Sequence, residues 1–261
     1  MWNPDRYERF REERSRPFFD LLALVRPKPA MRVVDLGCGT GALTFAMHEI
    51  LGAEETLGID SSAEMLARAA EHTKDGLRFD RADAATFEAD GAYDLVFSNA
   101  ALQWIEGHDA LFARLARAVA PGGQLAVQMP ANVDHPTHVV AAKIACEPPF
   151  AEHVTGKIRS SWPVLAPEAY AALLYDHGFD PQHVRLQVYA HELASRDDVV
   201  TWVEGTLLTE YQAAIPAALW PMFLARYKDV LLPQLKDTRP YFYPFKRILL
   251  WGERAGERRH P

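Results

Sequence analysis

The sequence is poor in cysteine, with only Cys38 and Cys146 in 261 residues. Their separation offers no paired metal spacing and no disulfide framework, so both are expected to be packing residues. No run of about 18 apolar residues occurs, which excludes an apolar membrane-spanning helix. The opening Met1-Trp2-Asn3-Pro4-Asp5-Arg6-Tyr7 has no apolar stretch after its basic residue, and a cytoplasmic location is expected with no membrane partner. An excess of positive charge is also missing. The formal net charge of -7 repels a nucleic-acid backbone, so no nucleic acid is expected as a partner and a small-molecule substrate is. There is no internal repeat, no low-complexity tract, and no Ser/His/Asp or metal-ligating constellation; no metal is expected. The balance of 49% hydrophobic and 24% charged residues excludes disorder.

The first half alternates short β-branched runs with helical spacing, the pattern of parallel strands joined by crossover helices. Strands are expected at residues 32–36, 56–59, 77–81, 93–98 and 124–129, and helices at 13–25, 42–51, 63–71 and 109–119. Pro121-Gly122-Gly123 is expected to stop the last helix and turn the chain into its strand. Beyond Met129 the alternation breaks: Pro148-Pro149, Pro163 and the polar stretch 152–161 read as a loop too long for a plain connector, hence a lid. A helix at 167–177, a strand at 183–191 and a last strand at 246–251 complete the pattern. Residues 197–208 and 217–232 give further helices. The expectation is one α/β domain over 1–261: a doubly wound, Rossmann-like, mainly parallel seven-stranded sheet, with an α-helical cap over its carboxyl edge built from roughly 146–166 and 196–244.

The chemistry concentrates in Val33-Val34-Asp35-Leu36-Gly37-Cys38-Gly39-Thr40-Gly41, where a strand becomes a helix. Glycines let the backbone turn sharply and approach a ligand, and the helix start presents unpaired N–H groups to the same place. Gly37, Gly39 and Ala42 also satisfy the dinucleotide fingerprint of dehydrogenases, so a nicotinamide-dependent oxidoreductase stays open on the glycines alone. Asp35 ahead of them would repel a pyrophosphate and accept contacts from a cationic amino-acid ligand, which favours S-adenosyl-methionine. Asp60, about twenty residues on at the end of the second strand, is placed for both hydroxyls of a ribose.

Four segments in order, Asp35 to Gly41, Asp60-Ser61-Ser62-Ala63-Glu64-Met65-Leu66, Asp83-Ala84 and Ser98-Asn99-Ala100-Ala101-Leu102-Gln103-Trp104, resemble class I S-adenosyl-methionine-dependent methyltransferases. The resemblance implies Asp35 and the loop Gly37, Cys38, Gly39 and Gly41 near the methionine part of S-adenosyl-L-methionine, and Asp60 with Ser61 at the ribose. It further implies Met65 against the adenine, Asp83 with Ala84 at the exocyclic amine, and Asn99 with Trp104 lining the cavity. A closer resemblance spans nearly the whole chain: Trp2-Asn3-Pro4, Tyr7, residues 13–17, Gln103-Trp104, Gln128-Met129-Pro130, Pro136-Thr137-His138, Trp202 to Thr206 and Phe245-Lys246-Arg247 are similar to the trans-aconitate methyltransferase family, which esterifies one carboxylate of a small polyacid. Where that family's pattern runs to Arg-Pro-Tyr, this chain reads Thr209-Glu210-Tyr211, an acid in place of a cation.

The expected reaction is therefore methyl transfer to a small molecule, first of all O-methylation of a carboxylate in a trans-aconitate-like acid. Arginines suit a polyanion because their planar fork matches a carboxylate. Arg14, Arg159 and Arg247 are candidates for that role, Arg16 for the cofactor carboxylate, and Tyr7, Gln103, Trp104, His138 and Tyr211 for further substrate contacts. No catalytic residue is assigned with certainty; His138, Glu204 and Glu210 are the candidates, with His135 a neighbour of the first. C-methylation of an isoprenyl diphosphate is the second reading: cap aromatics (Trp162, Tyr211, Trp220, Tyr241, Phe242, Tyr243) would stabilise a cation and an acid would remove a proton. A catalytically silent binder of the same cofactor is a third.

Overall fold

The computed structural model describes residues 15–158 and 162–256. Residues 15–22 form a helix, α1. It is followed by β1 (Arg32–Leu36), α2 (Ala42–Leu51), β2 (Glu55–Asp60), α3 (Ala63–Ala69), β3 (Leu77–Arg81), β4 (Tyr93–Asn99), α4 (His108–Ala118) and β5 (Val119–Pro130). Then come α5 (Pro136–Ala145), α6 (Ala151–Val154), α7 (Pro167–Asp176), β6 (Phe179–Leu193), α8 (Asp197–Glu204), α9 (Leu208–Ala214), α10 (Trp220–Leu231) and β7 (Tyr241–Arg254). The seven strands make one sheet in the order β3-β2-β1-β4-β5-β7-β6. The pairs among β1 to β5 are parallel and β7 runs antiparallel to β5. This is the doubly wound, mainly parallel sheet expected, with the order reversing at β1 and β4.

The described residues divide into two compact units. The first holds 15–130, 163–187 and 247–256, and the second 131–158, 162 and 188–246. Of the spans expected as a helical cap, 146–158, 162 and 196–244 fall in the second unit and 163–166 in the first.

In the first unit the central strands are apolar on both faces because helices cover both. Val33, Val34, Leu36, Leu95, Val96, Phe97, Leu125, Ala126 and Val127 are each at most 1% exposed, as parallel strands require. Phe18 of α1 packs edge-on against Phe97, with centroids 5.1 Å apart. In the second unit α10 packs on α5. Its Phe223, Tyr227 and Leu231 recur every four residues and are fully buried, and Tyr227 Oη donates to the Thr137 carbonyl at 3.0 Å.

Three local readings are corrected. Pro121-Gly122-Gly123 does not stop α4, which ends at Ala118. Val119 already pairs with Tyr93, and the run makes an irregularity inside β5 before Gln124 pairs with Leu95. The stretch read as a loop carries the short helix α6 (Ala151–Val154), and ahead of it lies α5, for which no element was expected: His135 Nδ1 accepts the Thr137 N–H and Pro136 sits in its first turn. Histidine is not a usual helix cap, so the sequence signal for this start is Pro136 in its first turn alone. Residues 197–208 are broken at Gly205-Thr206 into α8 and α9. Two side chains also depart from expectation. Cys38 is buried but Cys146, at the end of α5, is exposed. Phe242 is 58% exposed while Tyr241 and Tyr243 are buried, because neighbouring strand residues point to opposite faces.

Candidate functional site

The first unit contains a cavity of about 740 Å³ at the carboxyl ends of β1, β2 and β4, the place where a doubly wound sheet parts its loops and binds ligands. Gly37 and Gly39 form its floor, residues 60–62 and Met65 one side, residues 82–85 another, and Ala100, Ala101, 104–106 and Arg114 the rest.

The glycine turn is held by the strand beside it. The N–H groups of Gly37 and Cys38 both donate to the Ile59 carbonyl, at 2.8 and 2.9 Å. Gly37, Gly39 and Gly41 have φ of +79°, +57° and +74°, the left-handed region where only glycine is unstrained. A Cβ at Gly37 would overlap the Ala101 Cβ, whereas a Cβ at Gly39 would meet nothing within 4 Å. The open space above Gly39 is where a ligand can touch backbone. Gly41 faces inward instead, since a Cβ there would press on Phe79 and Ala69.

Asp60 organises the turn through both oxygens. Oδ2 accepts the Gly39 N–H at 2.9 Å and Oδ1 the Ser62 N–H at 2.8 Å. Each carboxylate oxygen keeps a second lone pair for a hydroxyl. Ser62 caps α3 by accepting the Met65 N–H, so Met65 leaves the first turn into the cavity, 39% exposed, while Trp104 stands there 45% exposed. Two large apolar side chains left partly exposed in one cavity suit the faces of a flat ring. Asp83 Oδ1 accepts the Ala85 N–H at 2.8 Å, turning the chain after β3 so that Asp83, Ala84 and Ala85 line the same wall.

Asp35 lies beneath the floor, 3% exposed, its Oδ2 accepting the Thr44 hydroxyl at 2.6 Å. Burial pushes its pKa up to about 7, against the lowering effect of Thr44 and with the charge of Asp60 adding to the rise. A positively charged ligand above the turn would favour the ionised form. Asn99, at the end of β4, has its Oδ1 buried without a hydrogen-bond partner among the described residues. An orphaned acceptor of this kind fits a ligand amine.

Of the residues expected at the cofactor, Gly37, Gly39, Asp60, Ser61, Met65, Asp83, Ala84 and Trp104 line the cavity; Asp35, Cys38, Gly41, Asn99 and Arg16 do not. Arg16 is the outlier in kind: its side chain is 74% exposed and pairs with Asp20, 3.9 Å away on the same helix. Glu106 and Arg114 line the cavity without having been expected. Arg114 sits in the middle of α4, where sequence reads only an exposed helical charge.

The expected substrate residues are dispersed. Tyr7, Arg14 and Arg159 lie outside the described residues. In the first unit Gln103 is buried and its amide donates to the Ala100 carbonyl at 2.7 Å. Arg247 is 8% exposed and its Nη1 donates to Gln128 Oε1 at 3.2 Å. In the second unit His138 shares a hydrogen bond with Thr137 Oγ1 at 3.1 Å and packs edge-on against Trp162. Burial lowers its pKa to about 4, with His135 adding to the effect, so it is neutral at pH 7. Tyr211 is buried and stacked on Phe223, and Glu204 and Glu210 are half-buried. Among the described residues there is no group of histidine, cysteine or carboxylate side chains able to hold a metal, and no helix is long and apolar enough to cross a membrane.

A glycine turn under an open space, a carboxylate at the end of β2, partly exposed apolar side chains in the same cavity and an acid after β3 define an S-adenosyl-methionine-dependent methyltransferase acting on a small molecule. The model of the family described as "Methyltransferase domain" matches residues 33–123. A trans-aconitate 2-methyltransferase of Deinococcus radiodurans is 40% identical over 97% of this chain and 98% of its own. The chain belongs to the trans-aconitate 2-methyltransferase family. Among solved structures, the YcgJ protein of Bacillus subtilis superposes with a TM-score of 0.61 at 14% identity, over 92% of this chain and 98% of that one. A geranyl diphosphate C-methyltransferase of Streptomyces coelicolor, solved with Mg2+, geranyl diphosphate and S-adenosyl-homocysteine, reaches 0.54 at 16% identity, over 94% and 80%. At such identities these two speak for the fold alone.

Proposed function

We propose that this enzyme transfers the methyl group of S-adenosyl-methionine to one carboxylate of trans-aconitate or of a small polyacid close to it. The observation that carries the proposal is the 40% identity to a trans-aconitate 2-methyltransferase along almost the entire chain. When bound, the cofactor supplies an electrophilic methyl group on a sulfonium and leaves as a neutral thioether. The protein's part is alignment. Asp60 takes the ribose, Met65 and Trp104 flank the adenine, Asp83 accepts from the exocyclic amine, and Asn99 Oδ1 receives the amino group of the methionine part. A carboxylate acceptor is ionised at neutral pH, so the reaction needs no strong base. This removes the need to give His138, Glu204 or Glu210 a proton to carry.

Arg247 is the described arginine proposed for the acceptor, since a guanidinium that is 8% exposed holds an anion far better than a solvated one. The Glu210 position is proposed to tune how much negative charge is tolerated in the acceptor. The free cysteines Cys38 and Cys146 suit a reducing compartment, and we extend the proposal to a cytoplasmic enzyme with no nucleic-acid partner.

The test is mass spectrometry of purified protein incubated with S-adenosyl-methionine and a panel of trans-aconitate, related small acids and isoprenyl diphosphates. A methyl ester on trans-aconitate is the expected product. Methylation confined to a diphosphate, or no ester on any acid, would overturn the substrate assignment.

A further inference from the structure

We propose that Arg114 is a positioning residue for adenine recognition, acting from α4 on the turn that carries Asp83. The inference rests on the proposed role of Asp83 at the exocyclic amine.

The peptide groups on both sides of Ala85 are held. The Ala85 N–H donates to Asp83 Oδ1 at 2.8 Å, and the Ala85 carbonyl accepts from Nη2 of Arg114. The Asp83 carbonyl in turn accepts the Thr86 N–H at 3.1 Å and faces the Thr86 hydroxyl at 3.4 Å. These bonds leave Asp83 one carboxylate oxygen, Oδ2, for a ligand, and they set its direction. The Ala85 carbonyl shares its rigid peptide plane with the Thr86 N–H, so without the guanidinium that plane would be free to rotate and the Thr86 N–H that holds the Asp83 carbonyl would rotate with it. The other anchor of Arg114 is its own helix: Nη1 contacts the Ala110 carbonyl at 3.5 Å. The side chain therefore ties the wall made by residues 82–85 to the helix that follows Trp104, Ile105 and Glu106, which line the same cavity.

Arg114 also has no carboxylate within ion-pair distance among the described residues. Its Nε is buried without a hydrogen-bond partner. A cation kept beside a cavity without an ion pair is costly, and the geometry assigns its use to the Ala85 carbonyl. Lysine could make one such bond with its ammonium; methionine would keep the aliphatic stem and make none.

The experiment compares dissociation constants of S-adenosyl-homocysteine and S-inosyl-homocysteine, whose exocyclic amine is replaced by oxygen, for wild type, Asp83→Asn, Arg114→Met and Arg114→Lys. A site built to bond an amine rejects an analogue lacking it by about a hundredfold or more. The expected result is that Asp83→Asn and Arg114→Met each bring this ratio down to within about fivefold, and that Arg114→Lys recovers most of it. Amide exchange at Thr86, whose N–H lies in the peptide plane that Arg114 holds, should quicken in the methionine variant while that of α4 does not change, a signature that a general loss of stability would not give. If Asp83→Asn collapses the ratio while Arg114→Met weakens both ligands equally, Arg114 does not act through the turn and the inference is overturned. An unchanged ratio in Asp83→Asn overturns the role of Asp83 itself, and a ratio then lost only in Arg114→Met would mean direct contact in place of positioning.

Discussion

Replacing Gly37 and Gly39 by alanine, one at a time, separates the two things a glycine turn does. Both residues have positive φ, so either alanine costs about 1–2 kcal/mol in backbone strain, partly offset by about 0.4–1 kcal/mol from a less flexible unfolded chain. For Gly39→Ala that is the whole cost to the free protein, because the new methyl meets nothing within 4 Å. The expected net loss is about 1 kcal/mol, or roughly 2–4 °C in Tm for a chain of this size. For Gly37→Ala the methyl overlaps the Ala101 Cβ, and Ala101 cannot retreat freely because its neighbour Ala100 already has φ +55°. Overpacking adds about 1–3 kcal/mol. The ranking for ligand affinity is different. The Gly39 methyl occupies the space into which the cavity opens, and a loss of about thirtyfold in S-adenosyl-homocysteine affinity is expected, equivalent to about 2 kcal/mol. Scanning calorimetry of the ligand-free proteins and titration calorimetry with S-adenosyl-homocysteine measure the two quantities. A Gly39→Ala protein that unfolds as early as Gly37→Ala, or that binds ligand as wild type does, would refute the placement of the cofactor above Gly39.

Three other outcomes are expected. Asp35 has its folded pKa raised to about 7 from 3.8, so the native state holds a proton that the unfolded state releases. The associated stability is fully present below about pH 4 and is lost as the pH rises to 7, about 4 kcal/mol in all. Urea titrations of ligand-free wild type and Asp35→Asn across that range should differ by this slope, and parallel curves would refute it. Tyr170→Phe removes a buried hydroxyl that accepts the Leu165 N–H at 3.1 Å and donates to His108 Nδ1; His108 Nε2–H meets the Leu102 carbonyl at 3.1 Å. Two buried polar groups lose their partner, a cost of about 2–4 kcal/mol in chemical denaturation, and a change under 0.5 kcal/mol would mean the chain of bonds is not formed. Arg247→Ala should raise the KM for trans-aconitate by about tenfold or more while leaving the KM for S-adenosyl-methionine within about twofold; an unchanged acid KM in steady-state assays would remove Arg247 from the acceptor.

The local part of this enzyme was legible in its sequence because it is dictated locally. Buried parallel strands need unbroken apolar runs, and Val33-Val34 and Leu95-Val96-Phe97 supply them. A left-handed turn needs glycine, and Gly37, Gly39 and Gly41 each take positive φ where expected. A helix start needs a short acceptor, and Ser62 provides it. Asp60 follows from the same logic, since the end of a strand beside a glycine turn points its side chain at that turn.

What depends on partners distant in sequence was decided only by tertiary structure. Arg114 reads as an ordinary helical charge until the fold brings it to the Ala85 carbonyl, 29 residues earlier in the chain. Arg16 reads as a clamp, yet its helix turns the side chain to water. The start of α5 was hidden because a histidine caps it, and Phe242 was misplaced because a strand's pleat, which puts it outside, is known only once the register of β7 is set. Patterns of neighbouring residues specify backbone conformation, whereas the direction in which a long side chain spends its hydrogen bonds is settled by whatever the rest of the chain packs beside it.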